Sequence, residues 1–125
     1  MTTTSPTGER PPRMAGELAL VTGSTSGIGA TIGADARVGE MDLAHWESAL
    51  LVNLTAPMLL SRAALPHMLA AGHGAIVNVS SRQAERPSAG MAAYAASKGG
   101  LNALTRALAV EYAAHDVRCN TLSPG

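Results

Sequence analysis

Three short apolar runs alternate with two long segments in which apolar residues recur at helical spacing. The runs cover residues 18–21, 75–79 and 117–122, and the second is rich in β-branched residues, which is typical of buried strands. The long segments cover residues 43–71 and 92–114, where the spacing predicts helices. Strands that alternate with helices predict an α/β domain whose parallel sheet is built from right-handed βαβ units.

Capping and breaking residues set the ends of the first long helix. Asp42 is the predicted N-cap, and Gly72 is placed to end the helix. Pro57 and Pro66 lie inside the segment and predict bends. Because Pro57 has no N–H to give the carbonyl of Asn53, that carbonyl is available to hold a water, although a simple packing kink is an alternative. A very short additional helix is expected at 30–32.

Composition narrows the class of partner. The chain has 125 residues, of which 46% are hydrophobic, with nine basic and nine acidic residues. The length and hydrophobic share are enough for one domain with a core. The balanced charge provides no basic surface for nucleic acid or an anionic membrane. A small-molecule partner is therefore favoured. Cys119 is the single cysteine and is expected to be a small buried residue.

No membrane span, leader or metal site is expected from the sequence. Arg62, Pro66 and His67 interrupt the richest apolar stretches, so none is expected to cross a bilayer. Residues 1–13 are polar and rich in Thr, Pro and Arg, which indicates a disordered tail rather than a signal peptide. These features predict a cytoplasmic protein.

Candidate binding residues concentrate where the predicted strands end. In open parallel sheets, ligands bind outside the carboxyl ends of the strands, which here carry Gly23, Ser81 and residues 123–125. The segment 22–29 is a Gly/Ser-rich loop whose glycines would let the backbone approach a pyrophosphate. Taken alone, this loop is equally compatible with a flexible turn that binds nothing.

Candidate acid/base residues lie on the second long helix. Tyr94 and Lys98 are four residues apart, so their side chains share a helix face. A phenol is a poor acid/base at neutral pH, but a nearby ammonium favours the phenolate. Ser81 precedes Tyr94 and could donate to a carbonyl oxygen beside the phenol. Chance spacing of the pair and a loop-capping role for Ser81 are the alternatives.

Together these residues resemble the short-chain dehydrogenase/reductase family, which has a TGxxxGxG motif, a YxxxK pair, and an upstream Ser and Asn. The amino-acid residues of segments 52–54, 76–81 and 120–125 also match those typical of the family. The resemblance implies a partial Rossmann-like, doubly wound parallel sheet over 14–125, with three strands and two long helices. It also implies hydride transfer between a nicotinamide cofactor and an alcohol or carbonyl.

The resemblance implies roles for individual residues as well. Tyr94 would be the general acid/base, and Ser81 would position the substrate oxygen. Lys98 would favour the phenolate and bind the nicotinamide ribose, while Asn53 would hold a relay water. The pyrophosphate would be lined by Gly23, Ser24, Gly27, Ile28 and Gly29, with Pro124 and Gly125 near the nicotinamide. Ser26 stands where members that prefer NADP often have a basic residue, which favours NAD over NADP.

The chain also departs from the family. Between Gly23 and Asn53 the family has further strands, including one that ends in Asn-Asn-Ala-Gly, and this motif is absent. We therefore expect an internal deletion with its junction near 31–33, and a chain that stops before the family's last segment. Because the missing strand would lie between the first two retained strands, those strands must pair directly, or the first must detach.

Three hypotheses remain open at this point. The first is an NAD(P)(H)-dependent oxidoreductase that acts on an alcohol or ketone. The second is a non-catalytic remnant whose two long helices still mediate association into a homo-oligomer. The third is a product too incomplete to fold, in which exposed sheet edges promote aggregation.

Overall fold

The computed structural model describes residues 17–23 and 36–124. Its strands are β1 (Ala19–Thr22), β2 (Gly74–Val79) and β3 (Val117–Leu122). Its helices are α1 (Leu43–Leu50), α2 (Ala56–Ala71) and α3 (Ala92–Tyr112), and a π-helical segment, Leu51–Thr55, joins α1 to α2. The predicted α/β class is confirmed. The tail at 1–13, the short helix at 30–32 and the junction at 31–33 lie outside the described residues.

The three strands form one parallel sheet in the order β1-β2-β3. Ala19 lies opposite Ala75, and Gly74 lies opposite Val117. Of the two alternatives for the first strand, direct pairing with β2 is therefore the one observed. All three strands end at one side of the sheet, at Thr22, Val79 and Leu122, and we call this side the carboxyl edge.

The first predicted long helix is helical over its whole expected range, but a π-helical segment separates its two α-helical parts. Asp42 Oδ1 accepts a hydrogen bond from the His45 N–H at 2.6 Å, which confirms the predicted N-cap. Gly72 ends the helix with a φ of 80°, a left-handed conformation that glycine adopts without strain. The π-helical segment ends two residues before Pro57, and the N–H of Ala56, the residue after it, donates to the carbonyl of Leu51. We call Leu43–Ala71 the interrupted helix.

The core lies between the sheet and one side of the long helices. Its buried members are Leu65, Met68, Ile76, Leu108, Val117 and Cys119. Burial of Cys119 confirms the expectation for the lone cysteine, and it raises the pKa of the thiol to about 11. The opposite face of the sheet exposes Val21 and Leu122, so the side chains of each strand alternate between a packed and an open face.

The interrupted helix is only partly covered. Its 29 residues have a mean hydropathy of 1.3 in their most apolar window, of which 28% is buried. By length and composition alone this helix is able to cross a membrane, despite Arg62 and Pro66, but core helices of water-soluble proteins meet the same criterion. Its exposed large apolar side chains are Leu43, Leu51, Val52, Leu59, Leu60 and Leu69.

Candidate active site

Lys98 and Tyr94 meet at the carboxyl edge. Both lie near the beginning of α3, and the Nζ atom of Lys98 is 5.8 Å from the centroid of the Tyr94 ring, within the range of a cation–π contact. Lys98 Nζ also donates to the carbonyl oxygen of Val79 at 2.9 Å. The side chain is 5% exposed, and this burial lowers the pKa of Lys98 below its ordinary value of 10.5. The predicted shared face is therefore observed.

Gly23, at the end of β1, lies against the same lysine. Its φ is +71°, and a Cβ atom at this position would lie 2.9 Å from the Val79 oxygen and 3.5 Å from Lys98 Nζ. The close approach follows from the direct pairing of β1 with β2, which brings the two strand ends together. The glycine loop that follows, with Ser24, Gly27, Ile28 and Gly29, lies outside the described residues, as does Gly125.

Ser81 lies two residues beyond the end of β2. Its Oγ atom accepts a hydrogen bond from the Gln83 N–H at 3.2 Å and caps the 3-10 turn Arg82–Ala84, as the capping alternative predicts. The Ser81 O–H has no acceptor among the described residues, so it remains able to donate to a ligand. Pro124 is exposed and follows the end of β3 at the same edge.

Asn53 reaches this region from the π-helical segment. Its Nδ2 atom donates to Ser97 Oγ at 3.2 Å, and Ser97 Oγ donates to the Tyr94 carbonyl at 2.7 Å. Asn53 is 6% exposed and Ser97 is fully buried. The sequence did not single out Ser97. The available signal was a serine three residues after Tyr94 in an alanine-rich helix, where a hydroxyl commonly bonds back to the preceding turn.

A second buried network fastens the strands beneath the site. Thr22 Oγ1 donates to Asn78 Oδ1 at 2.6 Å, and Asn78 Nδ2 donates to Thr105 Oγ1 at 2.9 Å. Thr105 Oγ1 in turn donates to the Leu101 carbonyl at 2.8 Å. These bonds connect β1, β2 and α3. Asn78 had been assigned only to a strand, although a polar residue in an apolar run signals a buried partner.

The described residues hold no cluster of three His, Cys, Asp or Glu side chains able to bind a metal ion. The described side chains at the carboxyl edge include a phenol, an ammonium and hydroxyls. Two of the predicted catalytic side chains, Tyr94 and Lys98, lie together here. Asn53 connects to Tyr94 through Ser97, and Ser81 stands at the end of the neighbouring strand.

Comparison with protein families matches residues 29–125 to the short chain dehydrogenase family. A probable short-chain type dehydrogenase/reductase of Bradyrhizobium diazoefficiens is 41% identical over 91 residues, which is 73% of this chain and 32% of that protein. A cis-4-hydroxycyclohexanecarboxylate dehydrogenase of Sinomonas cyclohexanicum is 45% identical over 86 residues, covering 69% of this chain and 34% of that protein. The chain thus spans about a third of these relatives.

Solved structures agree with this assignment. A gluconate 5-dehydrogenase from Burkholderia cenocepacia, in complex with NADP and tartrate, superposes with a TM-score of 0.78 at 30% identity, over 86% of this chain and 40% of that one. A putative NAD(P)-dependent gluconate 5-dehydrogenase from Beutenbergia cavernae, with bound NADP, gives 0.77 at 42% identity, over 86% and 41%. The fold is the Rossmann-like fold of these neighbours, and the chain belongs to the short-chain dehydrogenase family.

Proposed function

We propose that this chain carries the catalytic residues of an NAD(P)(H)-dependent oxidoreductase that interconverts an alcohol and a ketone or aldehyde. The observation that carries the proposal is the meeting of Gly23, Tyr94 and Lys98 at the carboxyl edge. Parallel sheets bind ligands at this edge. Family membership supports the reaction class, and this geometry supports the choice of residues.

The residues at this edge fit a nicotinamide cofactor. The absence of a Cβ atom at Gly23 lets its backbone lie against the Val79 carbonyl, where a Cβ would be 2.9 Å from the oxygen, and this keeps the end of β1 next to Lys98. Lys98 has three N–H donors, and among the described residues one donates to Val79. Tyr94 and Lys98 would hold the nicotinamide ribose, and Pro124 would lie near the nicotinamide. The family pattern adds Gly23, Ser24, Gly27, Ile28, Gly29 and Gly125.

When bound, the cofactor donates or accepts a hydride at the substrate carbon. The chain's own residues manage the accompanying proton. In the reductive direction the Tyr94 hydroxyl gives its proton to the substrate oxygen, and in the oxidative direction the phenolate accepts it. The Lys98 ammonium stabilises that phenolate, and the burial of Lys98, which is 5% exposed, strengthens the interaction because less water screens it. Ser81 donates its O–H, which has no acceptor among residues 17–23 and 36–124, to the same substrate oxygen and orients it.

The choice between NAD and NADP rests on residues outside the described part of the chain. Ser26 favours NAD, whereas two solved neighbours have NADP bound and so do not support that preference. Titration of the same protein with NADH and with NADPH decides between them.

Two matching proteins are named for dehydrogenation of hydroxylated carboxylates, so these compounds are the first substrates to test. A panel of hydroxy acids and simple secondary alcohols, each with NAD and NADP, is followed by absorbance of the reduced cofactor. Tyr94→Phe removes the proton donor and is expected to lower the rate at least about 100-fold. Tyr112→Phe is the matched control, because it removes the other tyrosine hydroxyl away from the site, and it should leave the rate unchanged.

Failure takes either of two forms in this assay. A folded chain that binds cofactor but turns over no member of the panel argues against catalysis by this chain. A Tyr94→Phe variant as active as its parent shows that any observed rate comes from another site.

A second candidate function is association through the long helices without catalysis. The exposed apolar residues of the interrupted helix favour it, since Leu51 is 57% and Leu60 is 50% exposed. Exposed large apolar side chains in this number on one helix are compatible with a protein interface. We infer that this helix faces another copy of the chain in a cytoplasmic homo-oligomer, and that it contacts neither nucleic acid nor a membrane.

A further inference from the structure

We propose that Ser97 is a positioning residue for Tyr94, and that the side chain of Asn53 acts on Tyr94 through Ser97. The inference rests on the proposed acid/base role of Tyr94 and adds two residues to it. Ser97 uses both of its hydrogen-bonding capacities here. Its hydroxyl donates to the Tyr94 carbonyl at 2.7 Å and accepts from Asn53 Nδ2 at 3.2 Å.

In the described part of the chain, the first turn of α3 has no side-chain N-cap. Tyr94 is the third residue of α3, and the N-cap residue, Met91, provides no side-chain hydrogen bond to this end of the helix. First turns have unsatisfied N–H groups and tend to fray. The bond from Ser97 to the Tyr94 carbonyl ties the first turn of α3 to the second. A fixed backbone at Tyr94 in turn fixes where its ring lies relative to Lys98.

The π-helical segment places Asn53 where it reaches Ser97. Leu51 and Val52 are exposed, whereas Asn53 is 6% exposed and faces α3. The next residue, Leu54, packs so closely on α3 that a Cβ atom at Gly100 would lie 2.8 Å from its Cδ2 atom. One wider turn thus contributes both a packing contact and a hydrogen bond to α3. Such single-turn π insertions frequently occur at functional sites.

The same helix contains a matched control. Thr105 is also a buried hydroxyl of α3, and it too donates to a carbonyl of the preceding turn, that of Leu101, while it accepts from an asparagine amide, that of Asn78. Loss of the Thr105 hydroxyl removes the same kinds of hydrogen bond at a site about three turns from Tyr94. An effect specific to Tyr94 therefore appears in a Ser97 variant and not in a Thr105 variant of similar stability.

The experiment reads Tyr94 directly, without substrate or cofactor. The chain has two tyrosines, so in a Tyr112→Phe background a tyrosine labelled with carbon-13 at Cζ gives an NMR signal from Tyr94 alone. Ser97→Ala and Asn53→Ala are each expected to displace or broaden this signal. The double variant should match Ser97→Ala alone, because Asn53 has no route to Tyr94 once Ser97 has lost its hydroxyl. Thr105→Val should leave the signal in place.

Two results would overturn the proposal. An unchanged Tyr94 signal in folded Ser97→Ala excludes the positioning role, and fully additive effects of the two substitutions exclude action through Ser97. Ser97→Cys, whose thiol is somewhat larger than the hydroxyl and donates only weakly, provides a second variant should Ser97→Ala fail to fold. Because the readout needs no turnover, it stays separate from the Tyr94→Phe rate test, whose failure would remove the catalytic role and leave the contact intact.

Discussion

Gly23 occupies a position that other residue types do not fit. Its φ of +71° is in the left-handed region, and a Cβ atom would lie 2.9 Å from the Val79 oxygen. We expect Gly23→Ala to lower the free energy of unfolding by about 1–2 kcal/mol from the backbone conformation alone, measured by urea denaturation. It should also weaken NADH or NADPH binding, because the added methyl displaces the carbonyl that holds Lys98.

Gly39 is the matched control for that substitution. Apart from its chain neighbours, no atom of the described residues would lie within 4 Å of a Cβ atom at Gly39, and its φ is not positive. Gly39→Ala should therefore leave the stability unchanged or raise it by up to about 1 kcal/mol, through the unfolded chain. Equal losses in the two variants would contradict the account of Gly23.

Two buried groups predict opposite dependences of stability on pH. The folded pKa of Lys98 is below its ordinary 10.5, so the unfolded chain holds that proton longer, and stability rises with pH from the lowered pKa up to 10.5. The pKa of Cys119 is raised from 9.0 to about 11, so the unfolded thiol ionises first. The contribution of the buried Cys119 thiol to the free energy of unfolding is present below pH 9.0. It is lost as the pH rises through about 11, by up to about 3 kcal/mol.

Single substitutions separate these two contributions. Cys119→Ala should remove the fall in stability above pH 9.0 and expose the rise due to Lys98, whereas Lys98→Met should leave only the fall. Urea denaturation across this alkaline range measures both slopes. A Cys119→Ala protein that loses stability as steeply as its parent would show that the thiol is not the cause.

At the scale of elements, the stability of the sheet depends on a buried series of hydrogen bonds as well as on apolar packing. Thr22, Asn78 and Thr105 connect β1, β2 and α3 through hydrogen bonds. We expect Thr22→Val, which keeps the shape but leaves Asn78 Oδ1 without its donor, to cost about 1–3 kcal/mol. Thr121→Val is the control: Thr121 pairs with Asn78 in register but is exposed, and its replacement should change stability by less than about 0.5 kcal/mol. Similar losses of stability in Thr22→Val and Thr121→Val would show that the hydrogen bond from Thr22 to Asn78 is not the source of the stabilisation.

The elements themselves follow largely from sequence. Asp42 and Gly72 predicted the ends of the interrupted helix because capping is a local interaction of one side chain with nearby backbone. The π-helical segment was not predicted: Pro57 signals an interruption, but it does not specify whether the helix bends or admits a wider turn. The choice depends on packing against α3, which is a tertiary contact.

Residues that act through distant partners were also missed. Ser97 and Thr105 are small hydroxyl residues in an alanine-rich and leucine-rich helix, and their importance comes from asparagines 44 and 27 positions away. Local spacing does not contain that information. The shared face of Tyr94 and Lys98 could be predicted because both lie on one helix, where a four-residue spacing fixes their relative placement.

At the scale of the whole molecule, the strand order was constrained but not decided by the sequence. The absent strand left two outcomes for β1, and the structure has the paired one, over Ala19–Thr22. Pairing satisfies backbone groups of both strands and lets Thr22 reach Asn78, so it is favoured over a detached β1 with unsatisfied buried groups.

The exposed apolar residues of the interrupted helix predict self-association. We expect sedimentation velocity to show an oligomer that the double substitution Leu51→Glu with Leu60→Glu converts to monomer, because the interface would then bury unpaired carboxylates. Val38 is 73% exposed but lies outside this helix, so Val38→Glu should leave the oligomer intact. A parent chain that is monomeric at all concentrations, or an oligomer insensitive to the double substitution, contradicts this role for the helix.

The most direct test of the central claim is fluorescence titration of the purified chain with NADH and, separately, NADPH, with light scattering as the check on solubility. The account predicts saturable binding of at least one cofactor. Lys98→Met should weaken it at least about tenfold, equivalent to about 1.4 kcal/mol, while Arg106→Met, which removes an exposed charge from the same helix, should not. A folded, soluble chain that binds neither cofactor would contradict the claim that Gly23, Tyr94 and Lys98 form a nicotinamide site.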